Sequence, residues 1–325
     1  MKYIHTDYTI PYYNMALEEY IMGNDKFSDE YLFFYIHKPS VIIGKYQNAL
    51  SEVNMKYIED SGIILARRIT GGGAVYHDEG NLNFSFICRR RGDEIDFEPY
   101  VRPVIEALGK IGIRAELSGR NDLVLDGRKF GGNAQHMTKD KVLSHGTIMV
   151  DVNIENMTMA LNVDAEKYIS KGISSVRSRV VNIGEYMTDP MNVLELREYL
   201  REELSTVYDM DEYILTDEDK LTVEKLVREK FSTWEHNFGG RAKMSINKKK
   251  KLPAGMICIS CEIKGGIITD VSIQGDFFAN DDVAKLEDSL TGIPIRKEDI
   301  MSAVGEKQII KNLSAEEIAE LIIYG

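Results

Sequence analysis

The sequence is poor in cysteine, has no long apolar run and shows no sign of a targeting segment. Three cysteines in 325 residues are too few for a disulfide framework, which fits a reducing compartment. No stretch approaches the roughly 18 apolar residues that a membrane-spanning helix needs. The N-terminal segment carries Asp7, Glu18 and Glu19 and lacks the basic start and apolar core of a secretory signal. We therefore expect a cytoplasmic protein that does not enter a membrane.

Basic residues are fewer than acidic ones. The chain has 40 lysines and arginines and 52 aspartates and glutamates, which gives a net charge of −12. Such an acidic chain disfavours nonspecific binding to a nucleic-acid backbone or an anionic membrane. An anionic ligand must therefore be bound by a local cluster of positive charge. Hydrophobic residues are plentiful at 43% of the chain, which is enough for a large core and, at about 150 residues per domain, for roughly two domains.

The pattern of short apolar runs predicts the fold class. Helical spacing occurs at residues 12–22, 97–111, 193–207 and 217–231, whereas runs at 4–7, 31–36, 41–43, 63–66, 81–88 and 141–150 have the composition of strands. We expect 4–7 to be an edge strand, 31–36 to pair with 41–43, and Asn54 to cap a short helix before Gly62. Strands interrupted by a few helices favour an α+β domain with a mixed or antiparallel sheet.

A smaller α+β unit is expected at the C-terminal end. Its predicted strands lie at 255–263 and 266–274 and its helices at 282–290 and 314–323, the last with a capping box formed by Ser314 and Glu317. The four consecutive lysines at 248–251 are typical of a polar hinge of like charge. We therefore expect one domain at 1–247 and a second at 248–325.

The stretch at 67–78 is the first candidate ligand site. Arg67 and Arg68 precede three consecutive glycines at 71–73, and strand-like runs lie on both sides. Glycines let a ligand approach the main chain, whose N–H groups suit a phosphate when a fixed cation is near. Tight hairpins also use glycine for geometry alone, so the motif by itself leaves both interpretations open.

A second cluster lies on a predicted hairpin. Asp126-Gly127 is a strong signal for a two-residue β-turn, and pairing of its strands would bring Asn121 and Asp122 close to Lys129. A carboxylate there could hold Mg²⁺ beside phosphates. An ammonium could neutralise charge that develops in a transition state. The alternative is an exposed salt bridge at the end of a hairpin.

Two further segments carry competing interpretations. At 171–180 cations alternate with small hydroxyl residues, which suits either a solvated loop or a flap over a phosphate. Cys258 and Cys261 have the C-x-x-C spacing of some zinc sites. A zinc site needs a second pair of ligands, however, and the predicted strand directs the two thiols to opposite faces, so we interpret both as structural.

Together these motifs resemble the lipoate–protein ligase A family. The resemblance is carried, in order, by the stretch 67–78, Gly119-Arg120-Asn121-Asp122, Arg128-Lys129 with the small residues after it, His145-Gly146-Thr147 and the stretch 171–180. It continues through 234–239 to 273–278 and so covers nearly the whole chain. It implies a large mixed-sheet catalytic domain of the biotinyl/lipoyl ligase type and a small α+β accessory domain.

The resemblance also implies an ATP-dependent, AMP-forming ligase that uses Mg²⁺. Lipoate and ATP would give lipoyl-AMP and pyrophosphate. The lipoyl group would then pass to a lysine of a lipoyl domain of a 2-oxoacid dehydrogenase E2 subunit, or of the glycine-cleavage H protein. Neither a nucleic acid nor a membrane is an expected partner.

Individual roles follow from the matched motifs. The resemblance assigns catalysis to Lys129, which matches the lysine that bridges the lipoyl carbonyl and the phosphate. Asp122 is a candidate catalytic base only by elimination, and it is also the candidate magnesium ligand. It assigns ATP or adenylate binding to Arg68, Gly71, Gly72, Gly73, Ala74, Val75, Tyr76, Asn121, Lys129, Lys171, Ser178 and Arg179. The lipoyl tail is apolar and needs a dry slot. We expect lipoate to contact Gly44, Tyr46, Gln47, Arg68, Gly72, His77, Lys129, His145 and Gly146. His77 and His145 could equally be ordinary packed, hydrogen-bonded histidines.

The alternatives share the fold. Octanoyl or lipoyl transferases form a cysteine thioester and use no ATP, but none of the three cysteines occupies the transferase position. The signature of biotin ligases is absent. A lipoate-binding regulator without turnover would be expected to lack Lys129 or the phosphate glycines, and this chain has both. Recognition of an acidic acceptor would rest on local basic patches such as 89–91 or 248–251.

Overall fold

The computed structural model describes residues 1–161, 178–238, 246–264, 266–305 and 308–323. Its N-terminal part contains the strands β1 (Lys2–Tyr3), β2 (Tyr31–Tyr35), β3 (Ser40–Ile43), β4 (Ile64–Arg67), β5 (Val75–His77), β6 (Asn81–Arg89), β7 (Glu116–Ser118), β8 (Asp122–Leu125), β9 (Arg128–Met137), β10 (Lys141–Met149) and β11 (Asp211–Glu212). Among the described residues, eight of these form the main sheet in the order β11-β1-β2-β6-β10-β9-β8-β7. Strand β1 runs parallel to both neighbours and the other pairs are antiparallel, so the sheet is mixed.

The helices of this part pack on both faces of the main sheet and on a smaller second sheet. They are α1 (Pro11–Gly23), α2 (Ala49–Glu52), α3 (Met55–Asp60), α4 (Glu98–Lys110), α5 (Ile154–Ala160), α6 (Val193–Val207), α7 (Asp217–Leu226), which continues as a π-helical turn over Val227–Phe231, and α8 (Trp234–Phe238). One core cluster joins α4 and α6 to the strands, and a second joins α1 and α7 to the opposite face. In β2, Leu32 and Phe34 belong to the first cluster and Phe33 to the second. Alternation therefore buries both faces of this strand.

A small second sheet has the order β4-β3-β5, with β3 parallel to β4 and antiparallel to β5. It corrects one prediction, because β2 pairs with β1 and β6 and not with β3. The predicted edge strand at 4–7 was also wrong: the strand is Lys2–Tyr3, and β11 pairs with its outer side. Residue composition indicates that a segment is extended, but long-range packing selects its partner.

The C-terminal part contains β12 (Ile246–Leu252), β13 (Gly255–Lys264), β14 (Ile267–Gly275), α9 (Val283–Leu290), α10 (Lys297–Val304) and α11 (Ala315–Ile323). The three strands form an antiparallel meander, packed by the helices through a core of their own. The predicted hinge at 248–251 was wrong, because these lysines lie inside β12 and pair with β13 from Ile259 to Met256. Helix α10 was not predicted.

Other expectations are confirmed, within one or two residues at the element ends. The Asn54 side chain accepts a hydrogen bond from Tyr57 N and begins α3. Ser314 Oγ accepts from Glu317 N at 3.2 Å while Glu317 Oε2 accepts from Ser314 N at 2.8 Å, which is the predicted capping box. No helix in the described part of the chain has the length and apolar character needed to cross a bilayer.

Candidate active site

The glycine turn between β4 and β5 lies against the C-terminal part of the chain. Gly72 has a φ of 92°, a conformation that favours glycine, and its N–H donates to Phe277 O at 2.8 Å. A Cβ placed on Gly71 would lie 2.4 Å from the same carbonyl oxygen. Gly71 and Gly72 thus permit the close approach of Phe277, whereas Gly73 lines the cavity described below. We expected all three glycines to lie alongside a phosphate. Gly71 and Gly72 instead pack against the main chain at Phe277.

Arg68 is buried inside this turn. Its Nε donates to Thr70 Oγ1 at 2.9 Å, and its Nη2 donates to Gly71 O at 2.6 Å and Gly73 O at 2.9 Å. Burial lowers the pKa of the guanidinium to about 10, so it stays charged at neutral pH. Arg68 therefore fixes the shape of the turn and places a positive charge in the wall of the cavity.

Arg67, which the sequence left without a role, holds carbonyl groups from two other segments. Its Nη1 donates to Gln47 O at 2.6 Å and Gly44 O at 3.0 Å, and its Nε and Nη2 donate to His236 O and Asn237 O, both at 2.8 Å. It ties the loop after β3 and helix α8 to β4. Its acceptors are main-chain oxygens far away in the chain, so no sequence motif signals them.

The predicted hairpin forms and brings Lys129 to Asp122. Asp126 and Gly127 have φ values of 50° and 74°, as a two-residue turn of this type requires. A β-bulge leaves Phe130 unpaired, since Leu123 pairs with Gly131 and Val124 with Lys129. In this arrangement Lys129 Nζ lies 2.7 Å from Asp122 Oδ1.

Neighbours on the hairpin complete this corner of the site. Gly132 lies opposite Asp122, and a Cβ there would lie 3.3 Å from Lys129 Nζ, so glycine leaves room for the ammonium. The backbone N–H of Lys129 donates to Arg179 O at 2.8 Å, which brings the end of the 171–180 segment to the hairpin. Ser178 precedes that contact, while Lys171 lies outside the described residues.

A cavity of about 90 Å³ lies between the glycine turn, the hairpin and α1. Nine residues expected at the site line it: Arg68, Gly73, Ala74, Val75, His77, Asn121, Lys129, His145 and Gly146. Ten further residues line it. Four of them, Gly132, Asn133, Ala134 and Thr147, lie in motifs that carry the resemblance but had no predicted role, and the sequence did not point to the other six, Met15, Glu18, Tyr35, His37, Ile42 and Asn83. Most of these are inward-facing strand residues, and sequence alone does not tell a cavity wall from a packed core.

Asn133 and Gly146 illustrate how tightly one wall is built. Asn121 Nδ2 donates to Asn133 O at 2.7 Å, and Asn133 Nδ2 donates to Asn121 O at 3.0 Å. Asn133 Oδ1 is buried and has no hydrogen-bond partner among the described residues. A Cβ on Gly146 would lie 2.4 Å from that oxygen and 2.3 Å from the ring of Phe84. Any larger residue at 146 would displace this wall.

Gly44, Tyr46 and Gln47 do not line the cavity. Tyr46 stacks on Phe277 with ring centroids 4.8 Å apart, and Gln47 Oε1 accepts from Gly44 N at 2.8 Å. A Cβ on Gly44 would lie 2.1 Å from Gly72 O. These residues support the outside of the glycine turn and its contact with the C-terminal part.

Tyr76 also faces away from the cavity. Its hydroxyl accepts a hydrogen bond from Asn156 Nδ2 at 3.5 Å, and burial raises its pKa to about 12. It borders a separate groove of about 1250 Å³ on the other side of β5. Of the three residues of β5, Val75 and His77 therefore line the smaller cavity and Tyr76 does not.

A directed chain of hydrogen bonds ends at the buried carboxylate of Glu18. Thr70 Oγ1, which accepts from Arg68, lies 2.8 Å from His145 Nε2, and His145 Nδ1 lies 2.9 Å from Glu18 Oε1. Thr70 can donate to Nε2 while Nδ1–H donates to Glu18, so one neutral tautomer of His145 satisfies every link. The Tyr35 hydroxyl donates to the same Glu18 oxygen at 3.2 Å. His145 is thus both hydrogen-bonded and part of the cavity wall.

His77, like His145, is both a hydrogen-bonded histidine and a residue of the cavity wall. Its Nδ1 lies 3.1 Å from His37 Nδ1, so one ring donates to the other. Burial lowers the pKa of His37 to about 3 and that of His77 well below its usual value, which makes both rings neutral at physiological pH.

The cysteines do not supply a nucleophile to the cavity. Burial raises the pKa of the Cys88 thiol to about 12, which disfavours the thiolate. Cys261 is buried whereas Cys258 is partly exposed, as the predicted strand requires, and both lie in β13. In the described ranges no group of three or more His, Cys, Asp or Glu side chains could hold a metal ion.

Two family models of known proteins together match most of the chain. A family model described as the lipoyl protein ligase A/B catalytic domain matches residues 10–205. A second, described as the bacterial lipoate protein ligase C-terminus, matches residues 241–322. The chain belongs to the lipoyl protein ligase A/B family. The predicted family and the predicted α+β architecture are therefore confirmed.

Relatives match over nearly the full length. Lipoate-protein ligase LplJ of Bacillus subtilis is 44% identical over 319 residues, which cover 96% of each chain. Lipoate–protein ligase 1 of Staphylococcus aureus is 41% identical over 308 residues, or 94% of each chain.

Solved structures include complexes with small molecules. P. falciparum LipL1 in complex with lipoate is 25% identical and matches with a TM-score of 0.82 over 100% of this chain and 99% of its own. Lipoate-protein ligase A bound with ATP is 30% identical, with a TM-score of 0.61 over 74% of this chain and 96% of its own. A bi-partite lipoate protein ligase from Thermoplasma acidophilum, studied with its E2 lipoyl domain, is 31% identical, with a TM-score of 0.64 over 75% and 98%.

Proposed function

We propose that this chain is an ATP-dependent lipoate–protein ligase that forms lipoyl-AMP and transfers the lipoyl group to a lysine of an acceptor protein. One observation carries the proposal. Two cations, Lys129 and Arg68, line one small cavity beside the glycine turn, in a chain related over almost its whole length to named lipoate–protein ligases.

In the first step the lipoate carboxylate attacks the α-phosphorus of ATP. A carbon–oxygen–phosphorus link forms, and the bond from the α-phosphorus to pyrophosphate breaks. Both reactants are anions, so their approach needs compensating positive charge and firm positioning. Lys129 and Arg68 supply that charge and stabilise the negative charge that develops on the phosphate oxygens.

In the second step the acceptor amine attacks the lipoyl carbonyl and AMP leaves. The amine has a reference pKa of about 10.4 and must lose a proton first. Lys129 polarises the carbonyl through its charge. Asp122 is the candidate base by elimination, and its contact with Lys129 Nζ also positions that ammonium.

The acyl chain of lipoate occupies the cavity, between Val75 and His77 on one side and His145 and Gly146 on another. The nucleotide runs along the backbone of Gly73, Ala74 and Val75 toward Ser178 and Arg179. We assign Gly44, Tyr46, Gln47, Gly71 and Gly72 to the support of this backbone, because their contacts are with the turn itself and with Phe277.

A magnesium ion is implied by the family's use of ATP, and the residues present fit one. Nucleotide-bound Mg²⁺ is often held by one or two carboxylates while phosphates and water supply the other oxygens. Asp122 beside Lys129 provides one such carboxylate. Bound there, the ion would neutralise phosphate charge.

The domain division and the acceptor complete the proposal. We place the boundary before Ile246, since a boundary at 247/248 would cut β12. A catalytic domain then precedes an accessory domain. The acceptor is a lipoyl domain of an E2 subunit or the glycine-cleavage H protein, and the Thermoplasma ligase was studied with such an E2 domain. We place the reaction in the cytoplasm, consistent with three free cysteines.

Lipoate-dependent exchange of labelled pyrophosphate into ATP tests the function. The native protein should exchange only when lipoate is present, and Lys129→Ala should be slower by at least about 100-fold. Lys139→Ala, a change at an exposed lysine, is the matched control and should exchange like the native protein. Absence of exchange by the native protein would reject the ligase in favour of the transferase or regulator. Exchange without transfer to any lipoyl domain would reject the second step.

A further inference from the structure

The wall of the cavity contains buried polar atoms, although the acyl chain that it would hold is largely apolar. Glu18 has no exposed surface. Its Oε1 accepts from Tyr35 and from His145, whereas its Oε2 is buried and has no hydrogen-bond partner among the described residues. Both donors therefore bind the same carboxyl oxygen, and Oε2 is left without a donor from the described part of the chain. A buried carboxylate oxygen without a donor is costly, so the fold retains here an acceptor that a bound molecule can satisfy.

The neighbouring histidine pair adds one more acceptor and one donor. His37 and His77 line the same cavity, and the Nε2 atoms of both are buried without a partner among the described residues. Since their Nδ1 atoms share one proton, one ring is the Nδ1–H tautomer and the other is the Nε2–H tautomer. One Nε2 is therefore an acceptor and the other a donor. Glu18 and the two histidines together therefore present two acceptors and one donor without a partner among the described residues.

Candidate acyl groups differ in what they offer to these atoms. The methyl end of an unsubstituted eight-carbon acid can neither donate nor accept. The cyclic disulfide of oxidised lipoate can only accept weakly through sulfur. The open dithiol form of lipoate has two S–H donors, and a terminal hydroxyl is a stronger donor than a thiol.

We propose that Glu18 makes the cavity selective for acyl substrates whose far end donates a hydrogen bond, and hence for the reduced, dithiol form of lipoate over an unsubstituted fatty acid. This inference rests on the proposed function, because it assumes that the acyl chain enters this cavity with its far end at Glu18. Glu18 then acts as a specificity-determining residue for that end of the acyl chain. It takes no part in the transfer of the acyl group.

The test compares acids that differ only at that end. Acid-dependent pyrophosphate exchange is measured with octanoate, 8-hydroxyoctanoate, lipoate, and lipoate kept reduced by a phosphine. 8-Hydroxyoctanoate is a donor that cannot be oxidised to a disulfide, so it separates hydrogen bonding from redox effects. The native enzyme should have a kcat/KM for 8-hydroxyoctanoate at least about tenfold above that for octanoate, and reduced lipoate should exceed octanoate as well.

Glu18→Met keeps the length of the side chain and removes the acceptor. In this variant the ratio of kcat/KM for 8-hydroxyoctanoate to that for octanoate should fall to one or below. Glu287→Met removes a carboxylate that is also buried, 8% exposed, in the C-terminal part, and should leave the ratio at its native value. Since a ratio of two substrates on one protein sample is insensitive to how much of it is folded, partial unfolding would not imitate the effect.

Two results would overturn the inference, one from the native enzyme and one from the Glu18→Met variant. If the native kcat/KM for 8-hydroxyoctanoate is equal to or below that for octanoate, the cavity has no preference for a hydrogen-bond donor. Strong exchange with octanoate in the same experiment would still support the proposed ligase activity. A native preference that persists in Glu18→Met would exclude Glu18 as its source. If Glu18→Met does not fold, Glu18→Gln provides the second variant: its amide donates to sulfur, so the ratio for reduced against oxidised lipoate should fall.

Discussion

Lys129 Nζ lies 2.7 Å from Asp122 Oδ1, in an ion pair that is 39% exposed on both sides. The pair spans the hairpin at the point where the β-bulge changes its register. Such an exposed pair contributes little to stability. Its position beside the cavity instead suggests that the carboxylate orients the ammonium, holds magnesium, or does both.

Asp122→Asn separates these two roles, because the amide keeps the shape but loses the charge. If Asp122 holds Mg²⁺, the Mg²⁺ concentration for half-maximal pyrophosphate exchange should rise at least about tenfold, and excess Mg²⁺ should restore the rate. Titration of MgCl₂ at fixed ATP measures this. A lower rate at an unchanged Mg²⁺ requirement would leave Asp122 with the orientation of Lys129 alone.

Gly71→Ala should disturb the contact between the glycine turn and the C-terminal part. The added Cβ would lie 2.4 Å from Phe277 O, so the main chain must move. We expect a loss of about 1–3 kcal/mol in the free energy of unfolding and slower exchange. Chemical denaturation gives the first quantity. Gly92→Ala, where a Cβ would meet nothing within 4 Å, is the control and should have little effect.

Arg67→Lys should destabilise the site without touching the cavity. A lysine has one charged nitrogen and cannot reach the carbonyls of Gln47, His236 and Asn237 together. Because buried acceptors lose their donors, we expect a loss of about 3 kcal/mol in stability. Arg102→Lys on the exposed face of α4 is the matched control. Equal stability of the two variants would contradict the structural role of Arg67.

The buried histidines make stability depend on pH. His37 has a pKa of about 3 in the folded protein, lowered by burial, against about 6.5 when unfolded. The unfolded chain therefore binds a proton as pH falls below about 6.5, which the folded protein does not bind until near pH 3, so stability falls across this window.

His37→Gln should remove this contribution. Between about pH 6 and pH 4, the free energy of unfolding of the variant should fall less steeply than that of the native protein, by roughly 1.4 kcal/mol per pH unit. Above about pH 7.5 both proteins should have the same slope, which serves as an internal control. Parallel curves across the acid range would show that His37 is protonated in the folded state.

The sequence predicted the turn of the hairpin correctly and the geometry of the glycine turn only in part. Asp126-Gly127 determined the turn, and strand pairing then placed Lys129 near Asp122, because a two-residue turn fixes the register. The three glycines indicated that some group approaches the main chain closely, but they did not identify that group. In the structure the approaching group at Gly71 and Gly72 is Phe277 O.

The sequence by itself determined the α+β class, most of the helices and strands, the family and the two charged motifs. These depend on local spacing and on the types of residue within short segments. Only the tertiary structure decided that β2 and β3 lie in different sheets, that the lysines at 248–251 belong to a strand, and that Arg67 binds carbonyls from two distant segments. It also brought Glu18 of α1 and His145 of β10 into one cavity. The physical reason is that pairing, burial and hydrogen bonding across the fold are set by contacts between residues far apart in the chain, which local propensity does not encode.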